Sequence, residues 1–444
     1  MRLLSPLRHR DFALLWAGML VSLVGDGVYI VTVAFAVLSI TNEPAALSLV
    51  GLAQSVGLLC FILAGGVLAD RYDKRRLMLA ADAVRLVAVA AVGVLALTGS
   101  LQLWQIVVLG SVYGLGEGLS APALGAIVPE LVPMTSLVEA NSLQQTLEPL
   151  ALRLAGPVVG GATYAALGAG GAFLVDAGTF AVSMLCLLAM RARPVLATAA
   201  PQAVGRQLRE AATFVRSQTW LWATLLVAAI GVLAFMGPVE VLVPYVVKNQ
   251  LGEGAASFGA VLAANGAGAI AGTLLVGSRG MPRREITFLY WTWGLSTLGV
   301  AGYGLATAVW QMMALSFVFG VGVGLGNPVW ATLMQVRVPQ ALRGRVSSLD
   351  WMVSLGLVPL SFALTGPIAA VAGADATLIG AGVLSAVLTL APSAGADSPS
   401  PTPYTRLSAM MCHSSSAPAS ASAPTAATAA KRTASAVSIS RRLS

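Results

Sequence analysis

Apolar residues occur along this chain in long, nearly unbroken runs that short polar segments separate. Runs of about 20 apolar residues can cross a bilayer as helices, whereas barrel strands would alternate polar and apolar positions. Because the runs lack that alternation, the pattern predicts an all-α membrane protein. Twelve transmembrane helices are predicted, at residues 13–37, 46–69, 77–98, 103–125, 143–167, 171–191, 219–246, 256–277, 286–307, 310–333, 347–371 and 374–393.

The composition agrees with a chain that lies mostly in lipid. Of its 444 residues, 57% are hydrophobic and only 10% are charged. Soluble domains carry about 25% charged residues, so this chain has too few to cover a water-exposed surface. The first apolar run continues well past the length of a secretory signal, so we interpret it as a membrane span.

Basic residues are distributed unevenly between the two sides of the predicted bundle. With the N-terminus inside, the inner segments hold most of the Lys and Arg residues, and the outer loops hold only Lys248. Cytoplasmic loops of membrane proteins collect such residues. The asymmetry predicts a multi-pass protein of the cell membrane with both termini in the cytoplasm. It also accounts for the net charge of +8 without nucleic acid as a partner.

The chain repeats itself. The stretch "PALGAIVPELVPMTSLVEANSL" begins at Pro122, and "PVWATLMQVRVPQALRGRVSSL" begins at Pro328, 206 residues later. A parallel repeat of this kind occurs in one large class of transporters. The predicted organisation is an N-terminal six-helix half at 1–191, a cytoplasmic linker at 192–218, a C-terminal six-helix half at 219–393, and a disordered tail rich in Ala, Ser and Pro at 394–444.

One loop carries a recognisable motif. The stretch "GGVLADRYDKRR", residues 65–76, lies between the second and third spans and matches the signature G-x-L-A-D-R-x-G-R-K/R-x, except at Asp73. With twelve spans in two halves, the chain therefore resembles the major facilitator superfamily. The N-terminal "LLSPLRHRDFALLWAGMLVSLVGDGVY" and the run from "APALGAIVPELVP" to "DAGTF" are similar to the branch of macrolide, multidrug and siderophore exporters.

The resemblance implies that this loop is a conformational latch, in which a carboxylate meets the positive end of the eleventh span. A carboxylate near a helix N-terminus is stabilised by about 0.3–1 kcal/mol. The positive-inside rule alone explains the cations, but it explains neither Asp70 nor the paired glycines. The latch residues are Gly66, Asp70, Arg71, Lys74 and Arg75.

Charges in the middle of predicted spans are the candidates for function. A charge at a helix centre costs about 2.5–3.5 kcal/mol on insertion scales. Asp26, Glu117 and Arg153 lie near the middle of spans one, four and five, and in the family these spans line or flank the cavity. We expect all three to meet, with Tyr29 shaping the site. The alternative is a static ion pair between Glu117 and Arg153.

Other charges are expected to have structural roles. Glu148 and Arg153 are five residues apart, about 140° round an α-helix, so they are not expected to face each other. Asp82 and Arg85 are expected to form a local ion pair near the inner end of span three. Asp176 is expected to be structural and peripheral, toward the outer end of span six.

Small residues in the fifth span predict close helix packing. The stretch "GPVVGG" combines a proline kink with glycines that let helices approach, and it resembles the end of a signature associated with antiporters. Its residues are Gly156, Pro157, Gly160 and Gly161.

Other chemistry is not indicated. The sequence has no Gly-Lys-Ser/Thr phosphate loop, no metal-ligand cluster and no nucleophile paired with a base, so we expect neither an enzyme nor a cofactor. The sequence predicts a secondary transporter, a monomer in the bilayer, that exports an amphipathic, cationic or neutral small molecule in exchange for protons. The alternatives are an exporter of a dedicated metabolite such as a siderophore, and a membrane sensor that transports nothing.

The predicted coupling residue is Asp26. A carboxyl group favours its protonated form in an apolar cavity and releases the proton when water or a cation approaches. A cationic substrate would compete with the proton for the same carboxylate. Glu117 is the second candidate for this role.

Overall fold

A computed structural model describes residues 4–133, 136–191 and 204–391. These residues are helical and contain no strand. The predicted disordered tail and the first part of the predicted linker lie outside the described residues. After a short 3₁₀ turn at Ser5–Arg8 the helices are α1 (Arg10–Ile40), α2 (Pro44–Arg71), α3 (Lys74–Leu97), α4 (Leu103–Leu131), α5 (Leu137–Leu147), a π-helical segment (Glu148–Ala155), α6 (Gly156–Ala189), α7 (Val204–Ser217), α8 (Thr219–Asn249), α9 (Ala255–Arg279), α10 (Glu285–Tyr303), α11 (Val309–Arg337), α12 (Gln340–Gly356), α13 (Val358–Ala372) and α14 (Ala374–Leu390).

Nine helices among the described residues are long and apolar enough to cross a bilayer. In the part of the chain that the structure describes, the predicted all-α character and the long apolar helices are therefore confirmed. One of the nine, Glu139–Ala189, includes a kink at Gly168, where two helices meet. Gly168 has φ 69° and ψ −176°, a conformation that is open to glycine and costly for other residues. The predicted fifth and sixth spans, 143–167 and 171–191, lie on either side of it.

Local sequence signals set the helix ends at the motif loop. Asp73 is the N-cap of α3, and its carboxylate accepts hydrogen bonds from the backbone N–H groups of Arg75 at 2.8 Å and Arg76 at 3.2 Å. An aspartate in this position typically stabilises a helix by about 1 kcal/mol. The departure of this sequence from the loop signature at residue 73 therefore has a structural explanation.

For the description that follows, we call α1–α6 the first group and α8–α14 the second group. Within the first group α1 packs on α6 and α2 on α4, and within the second α9 packs on α11. Glycines allow these close approaches: a Cβ added at Gly320 of α11 would lie 2.0 Å from the carbonyl oxygen of Asn265 in α9. The two groups contact each other through α2 with α13 and α6 with α9.

The groups are joined most tightly at one end of the bundle, which we call the Asn42 end. A large apolar core there combines α1 and α2 with α8 and α9, and it includes Val37, Leu242 and Phe258. Asn42 donates a hydrogen bond from Nδ2 to Oδ1 of Asn249 at 2.5 Å. At the opposite end, the Asp73 end, Lys74–Glu130 and Arg337–Glu285 are ion pairs within one group each.

Candidate functional site

Asp26 lies near the midpoint of α1, so the fold places it deep in the bundle. The hydroxyl of Tyr113 in α4 donates a hydrogen bond to its Oδ1 at 2.6 Å. A guanidinium nitrogen of Arg85 in α3 lies 3.8 Å from the same oxygen. The Asp26 side chain is 16% exposed. One partly buried carboxylate therefore links three helices of the first group.

Arg85 is the central cation of this cluster. Its NH2 group contacts Oδ1 of Asp82 at 2.5 Å, and the hydroxyl of Ser183 donates to Oδ2 of Asp82 at 2.7 Å. The guanidinium carbon also lies 4.5 Å from the centre of the Phe180 ring. The local pair of Asp82 and Arg85 is thus present as predicted, but Arg85 in addition lies within ion-pair distance of Asp26.

Aromatic rings enclose the cluster. Tyr29 stacks on Tyr113, with the ring centres 4.3 Å apart and the planes 3° from parallel. Phe173 of α6 meets the edge of Tyr29, and Phe180 meets the edge of Tyr113. Tyr29 is 4% exposed, so it forms part of the wall beside Asp26. Low-polarity walls of this kind strengthen every charge interaction inside them.

Glu117 lies at the midpoint of α4, one turn beyond Tyr113, and is partly exposed. It makes no hydrogen bond or ion pair with the described residues. The charged groups that act on it are Asp26, Arg85 and Glu148. The alternative of a static pair between Glu117 and Arg153 is therefore wrong.

Arg153 lies in the π-helical segment and forms an ion pair with Glu148 at 3.1 Å. The prediction that these two residues face apart is wrong, because it assumed α-helical geometry. A π-helix pairs residues i and i+5, which brings positions five apart to the same side. Both side chains are about half exposed, at 51% and 57%. The expected meeting of Arg153 with Asp26 is also wrong, since Arg85 has that position.

Asp176 lies in the part of α6 that follows Gly168. Its burial differs from the predicted peripheral position. It is fully buried, at 0% exposure, and its Oδ2 has no hydrogen-bond partner among the described residues. A Cβ added at Gly25 of α1 would lie 2.5 Å from Asp176 Oδ1, so the carboxyl group packs directly beside the residue that precedes Asp26. Asp176 is therefore internal and close to the cluster, not peripheral.

Sequence reasoning gave Arg85 only a local role beside Asp82, and it did not identify Tyr113. A signal was present for Arg85, because an arginine near the middle of an apolar run is as costly as an aspartate there. Arg85 lies at the centre of the 24-residue helix α3. Tyr113 carries no such signal, since tyrosines are common in apolar helices and only the packing of α4 against α1 directs its hydroxyl to Asp26.

The latch residues are described in part. The side chains of Asp70 and Arg71 lie outside the described residues. A Cβ added at Gly66 would meet nothing within 4 Å. Lys74 pairs with Glu130 of α4 at 2.7 Å, and Arg75 donates to the carbonyl oxygens of the two residues 187 and 188 at 2.5 and 2.9 Å. The cations thus connect the start of α3 to α4 and α6 and have more than a topological role.

The glycines of the fifth span lie at backbone contacts on two sides. A Cβ at Gly156 would lie 2.7 Å from the Cα of Gly27, and one at Gly160 would lie 2.8 Å from the Cα of Val28, both in α1. On the other side, a Cβ at Gly161 would lie 2.7 Å from the Cα of Ala256 in α9. The carbonyl oxygen of Pro157 faces Gly259 of α9. The glycines of span five therefore let its backbone approach the backbones of α1 and α9 closely.

The described residues contain no group of three or more His, Cys, Asp or Glu side chains placed to hold a metal ion. The charged cluster consists of the carboxyl groups of Asp26, Asp82 and Asp176 around the single guanidinium of Arg85. Such a set can bind and release protons or pair with an organic cation.

The arrangement of helices is similar to that of two solved transporter structures. The nucleoside transporter NupG aligns with a TM-score of 0.65 at 10% identity, covering 86% of this chain and 98% of NupG. A bacterial homologue of the iron transporter ferroportin, in an inward-facing state, aligns with a TM-score of 0.65 at 16% identity, covering 86% and 98%. At these identities the likeness concerns the fold alone.

Sequence comparison is more specific. The profile of the transmembrane secretion effector family matches residues 2–396. The multidrug efflux pump Tap of Mycolicibacterium fortuitum is 30% identical over 389 residues, which are 84% of this chain and 92% of that protein. Macrolide efflux protein A of Streptococcus pyogenes is 22% identical over 360 residues, covering 80% and 88%.

These matches and the fold define a multi-pass membrane transporter of the major facilitator type, not an enzyme. Within that class, the chain belongs to the transmembrane secretion effector family.

Proposed function

We propose that this protein is a proton-coupled exporter of amphipathic small molecules that works by alternating access. The proposed architecture is twelve transmembrane helices in two six-helix halves, 1–191 and 219–393, in a monomer. Three features support this count. Dividing the helix at Gly168 gives ten spans from the nine, and α10 and α14 bring the total to twelve. At 19 residues, α10 is about 28 Å long, close to the thickness of a bilayer core.

We further propose that the Asp73 end faces the cytoplasm and that both termini lie there. The support is the concentration of Lys and Arg in the segments at that end. With the Asn42 end held shut by the apolar core and the Asn42–Asn249 hydrogen bond, the described arrangement fits a state closed to the outside. The motif loop at residues 66–75 then lies where a latch must act to close the inner side.

The proposal rests mainly on the contacts of Asp26 with Tyr113 and Arg85. A carboxyl group near mid-membrane has a hydroxyl donor at 2.6 Å and a cation at 3.8 Å, and both stabilise its ionised form. Burial among aromatic rings favours the protonated form instead. These opposing influences are close in space, so a small displacement of α1 relative to α3 changes which form is favoured. Alternating access supplies such a displacement.

The substrate is proposed to be amphipathic and either cationic or neutral. Glu117 and Glu240 are both partly exposed carboxyl groups in the interior of the bundle. The half-exposed cation Arg153 is paired with Glu148. A site for an anionic siderophore should instead offer basic groups without acidic partners. The names of the relatives, multidrug and macrolide efflux proteins, agree with this choice.

The test is a drug-susceptibility panel in an efflux-deficient bacterial host. Cells that express the full-length chain should become more resistant to macrolides and lipophilic cations than cells with an empty vector. An uncoupler should restore accumulation of the lipophilic cation tetraphenylphosphonium, because the proton gradient drives export. Asp26→Asn should behave like the empty vector while reaching the membrane in normal amount.

Two results would contradict the proposal. Unchanged susceptibility across the panel, with the protein present in the membrane, would favour the dedicated-metabolite or sensor alternatives. Resistance that an uncoupler leaves intact would exclude proton coupling.

A further inference from the structure

Asp176 is a buried acid that the proposed function does not yet use. It is fully buried, and Oδ2 has no hydrogen-bond partner among the described residues. Thr179 donates its hydroxyl to the Asp176 backbone carbonyl at 2.7 Å and lies 3.4 Å from Oδ1. An ionised carboxylate that is buried without good hydrogen bonds or a cation in contact is strongly unfavourable, so groups in this situation take up a proton.

The charged surroundings of Asp176 make this requirement stronger. Asp26 repels it and Arg85 attracts it. From α3 the cluster also contains Asp82, which holds the shortest contact to Arg85, at 2.5 Å. Glu117 of α4 and the hydroxyls of Tyr29 and Tyr113 complete the titratable groups that face this region.

Charge counting sets the number of protons. With Asp26, Asp82 and Asp176 ionised, the cluster has three negative charges and the single positive charge of Arg85, so the net charge is −2. Asp82 has partners on both oxygens, from Arg85 and Ser183. The two protons that make the cluster neutral therefore belong on Asp26 and Asp176.

We propose that Asp176 is a second proton-binding residue of the exporter and that it exchanges protons with Asp26 under the control of Arg85. This inference rests on the proposed proton coupling. The exchange takes place after one of the two protons has left the cluster: the O–H bond of the Asp176 acid breaks and an O–H bond forms on the Asp26 carboxylate, so the total charge of the cluster is unchanged. When Arg85 approaches Asp26, the proton moves to Asp176, and when Arg85 turns to Asp82, Asp26 can hold it.

The proposal predicts two protons per transport cycle. Apparent cooperativity cannot exceed the number of sites, so the pH dependence of transport by the wild type should have a Hill coefficient approaching about two. Asp176→Asn keeps the size of the protonated acid but cannot release a proton. We expect that variant to fold, to release about half as many protons per substrate, and to titrate with a coefficient of about one.

The experiment uses the full-length protein in proteoliposomes with tetraphenylphosphonium as the substrate probe. Proton release and substrate flux are measured together, from acid to alkaline pH. The matched control is Asp375→Asn, the same chemical change at an exposed carboxylate that accepts a hydrogen bond from Gln250. The control should keep the stoichiometry and the steepness of the wild type. Wild-type proton release and steepness in Asp176→Asn would overturn the proposal.

A second measurement does not depend on transport. Infrared spectra of the wild type at neutral pH should contain carbonyl-stretching absorption from two protonated carboxylic acids, Asp26 and Asp176, and Asp176→Asn should lose the component that belongs to Asp176. Asp176→Glu should restore a band at a shifted position, which separates protonation from a structural role and provides a variant if the asparagine protein does not fold. Carboxylic-acid absorption of the same shape and intensity in Asp176→Asn and the wild type would overturn the inference. A wild type that releases no protons but has the Asp176 component would instead contradict only the proposed function.

Discussion

At the scale of single residues, the chemistry of the site depends on how one guanidinium is shared. Arg85 lies 2.5 Å from Asp82 and 3.8 Å from Asp26, so it pairs more closely with the acid on its own helix. The sequence could locate Asp26 and Glu117, because a charge inside an apolar run is conspicuous. It could not choose Arg85 over Arg153 as their cation, because that choice depends on which helices are neighbours and not on depth along a span.

The hydroxyl of Tyr113 should set the pH range of transport. Its hydrogen bond at 2.6 Å stabilises ionised Asp26, and such a bond to a charged group contributes about 1.5–3 kcal/mol. Without this hydrogen bond, Asp26 holds its proton more strongly, so proton release requires a higher pH. Tyr113→Phe should therefore move the half-maximal pH of substrate-driven proton release upward by up to about 1–2 units. The measurement is proton release from everted vesicles as a function of pH.

Tyr303→Phe is the matched control for that variant. Tyr303 is equally buried, and its hydroxyl lies 2.8 Å from that of Ser316 in the second helix group, with no carboxylate involved. It should leave the pH profile in place. Equal shifts in the two variants would mean that loss of any buried tyrosine hydroxyl disturbs transport, and that Tyr113 has no special role at Asp26.

At the scale of helices, the lengths of apolar runs predict where helices lie but not how they are wound. The π-helical segment Glu148–Ala155 is an example, since hydropathy is the same for either winding. Its geometry decides that Glu148 meets Arg153. The glycines Gly156 and Gly160 were identified from the sequence as packing residues, but their partners in α1 were not, because glycine spacing does not name the helix opposite.

A methyl group at Gly27 should separate α1 from α6. Its Cβ would lie 2.6 Å from the Cα of Gly156, and backbone atoms on both sides cannot turn away as a side chain can. Overpacking of this kind costs about 1–3 kcal/mol. Gly27→Ala should lower the melting temperature of the detergent-solubilised protein and reduce transport, because α1 also carries Asp26.

Gly125→Ala provides the comparison on α4, where an added Cβ meets nothing within 4 Å. Alanine is favoured over glycine in helices by about 1 kcal/mol, so this variant should be at least as stable as the wild type. If the melting temperature of Gly27→Ala equals or exceeds that of the wild type, the close contact between α1 and α6 does not contribute to stability.

At the scale of the whole molecule, the Asn42 end joins the two helix groups by few polar contacts. Lys248 of α8 donates a hydrogen bond to the carbonyl oxygen of Leu38, near the C-terminal end of α1. A cation is stabilised at a helix C-terminus by the helix dipole. The sequence identified Lys248 as the only basic residue of the predicted outer loops. Its contact with α1 could not be predicted, because it depends on how the two helix groups pack together.

Removal of this cation should favour opening of the Asn42 end. A hydrogen bond from a charged group is worth about 1.5–3 kcal/mol, so Lys248→Met should raise the ratio of open to closed forms by about tenfold to a hundredfold. The probe is a cysteine at Val247, which is 0% exposed, in a background with the three native cysteines replaced by serine. Labelling of that cysteine by a membrane-impermeant maleimide should become faster.

Arg337→Met is the appropriate comparison, since Arg337 pairs with Glu285 inside the second group at the Asp73 end. It should leave labelling at position 247 unchanged. Equal labelling rates in the Lys248→Met variant and its parent would show that the apolar core alone holds the Asn42 end closed.

The two helix groups differ in chemistry although the sequence repeats. α1 and α8 have 31 residues each and begin 209 positions apart (219 − 10), and α4 and α11 have 29 each and begin 206 apart (309 − 103). Asp26 then corresponds to Phe235, and Tyr113 to Phe319. The two phenylalanines meet at 5.7 Å with their rings nearly perpendicular. Where the first group has an acid and its donor, the second has an aromatic pair.

The depth of Asp26 has an electrical consequence. A proton that reaches a site near the middle of the bilayer crosses about half of the membrane potential, which is worth about 1.2 kcal/mol for each 100 mV. Voltage therefore changes the occupancy of the acid even when the pH is equal on both sides. Exchange of two protons for one monovalent cation moves net charge inward in each cycle. An energised cell could then drive export by its potential alone.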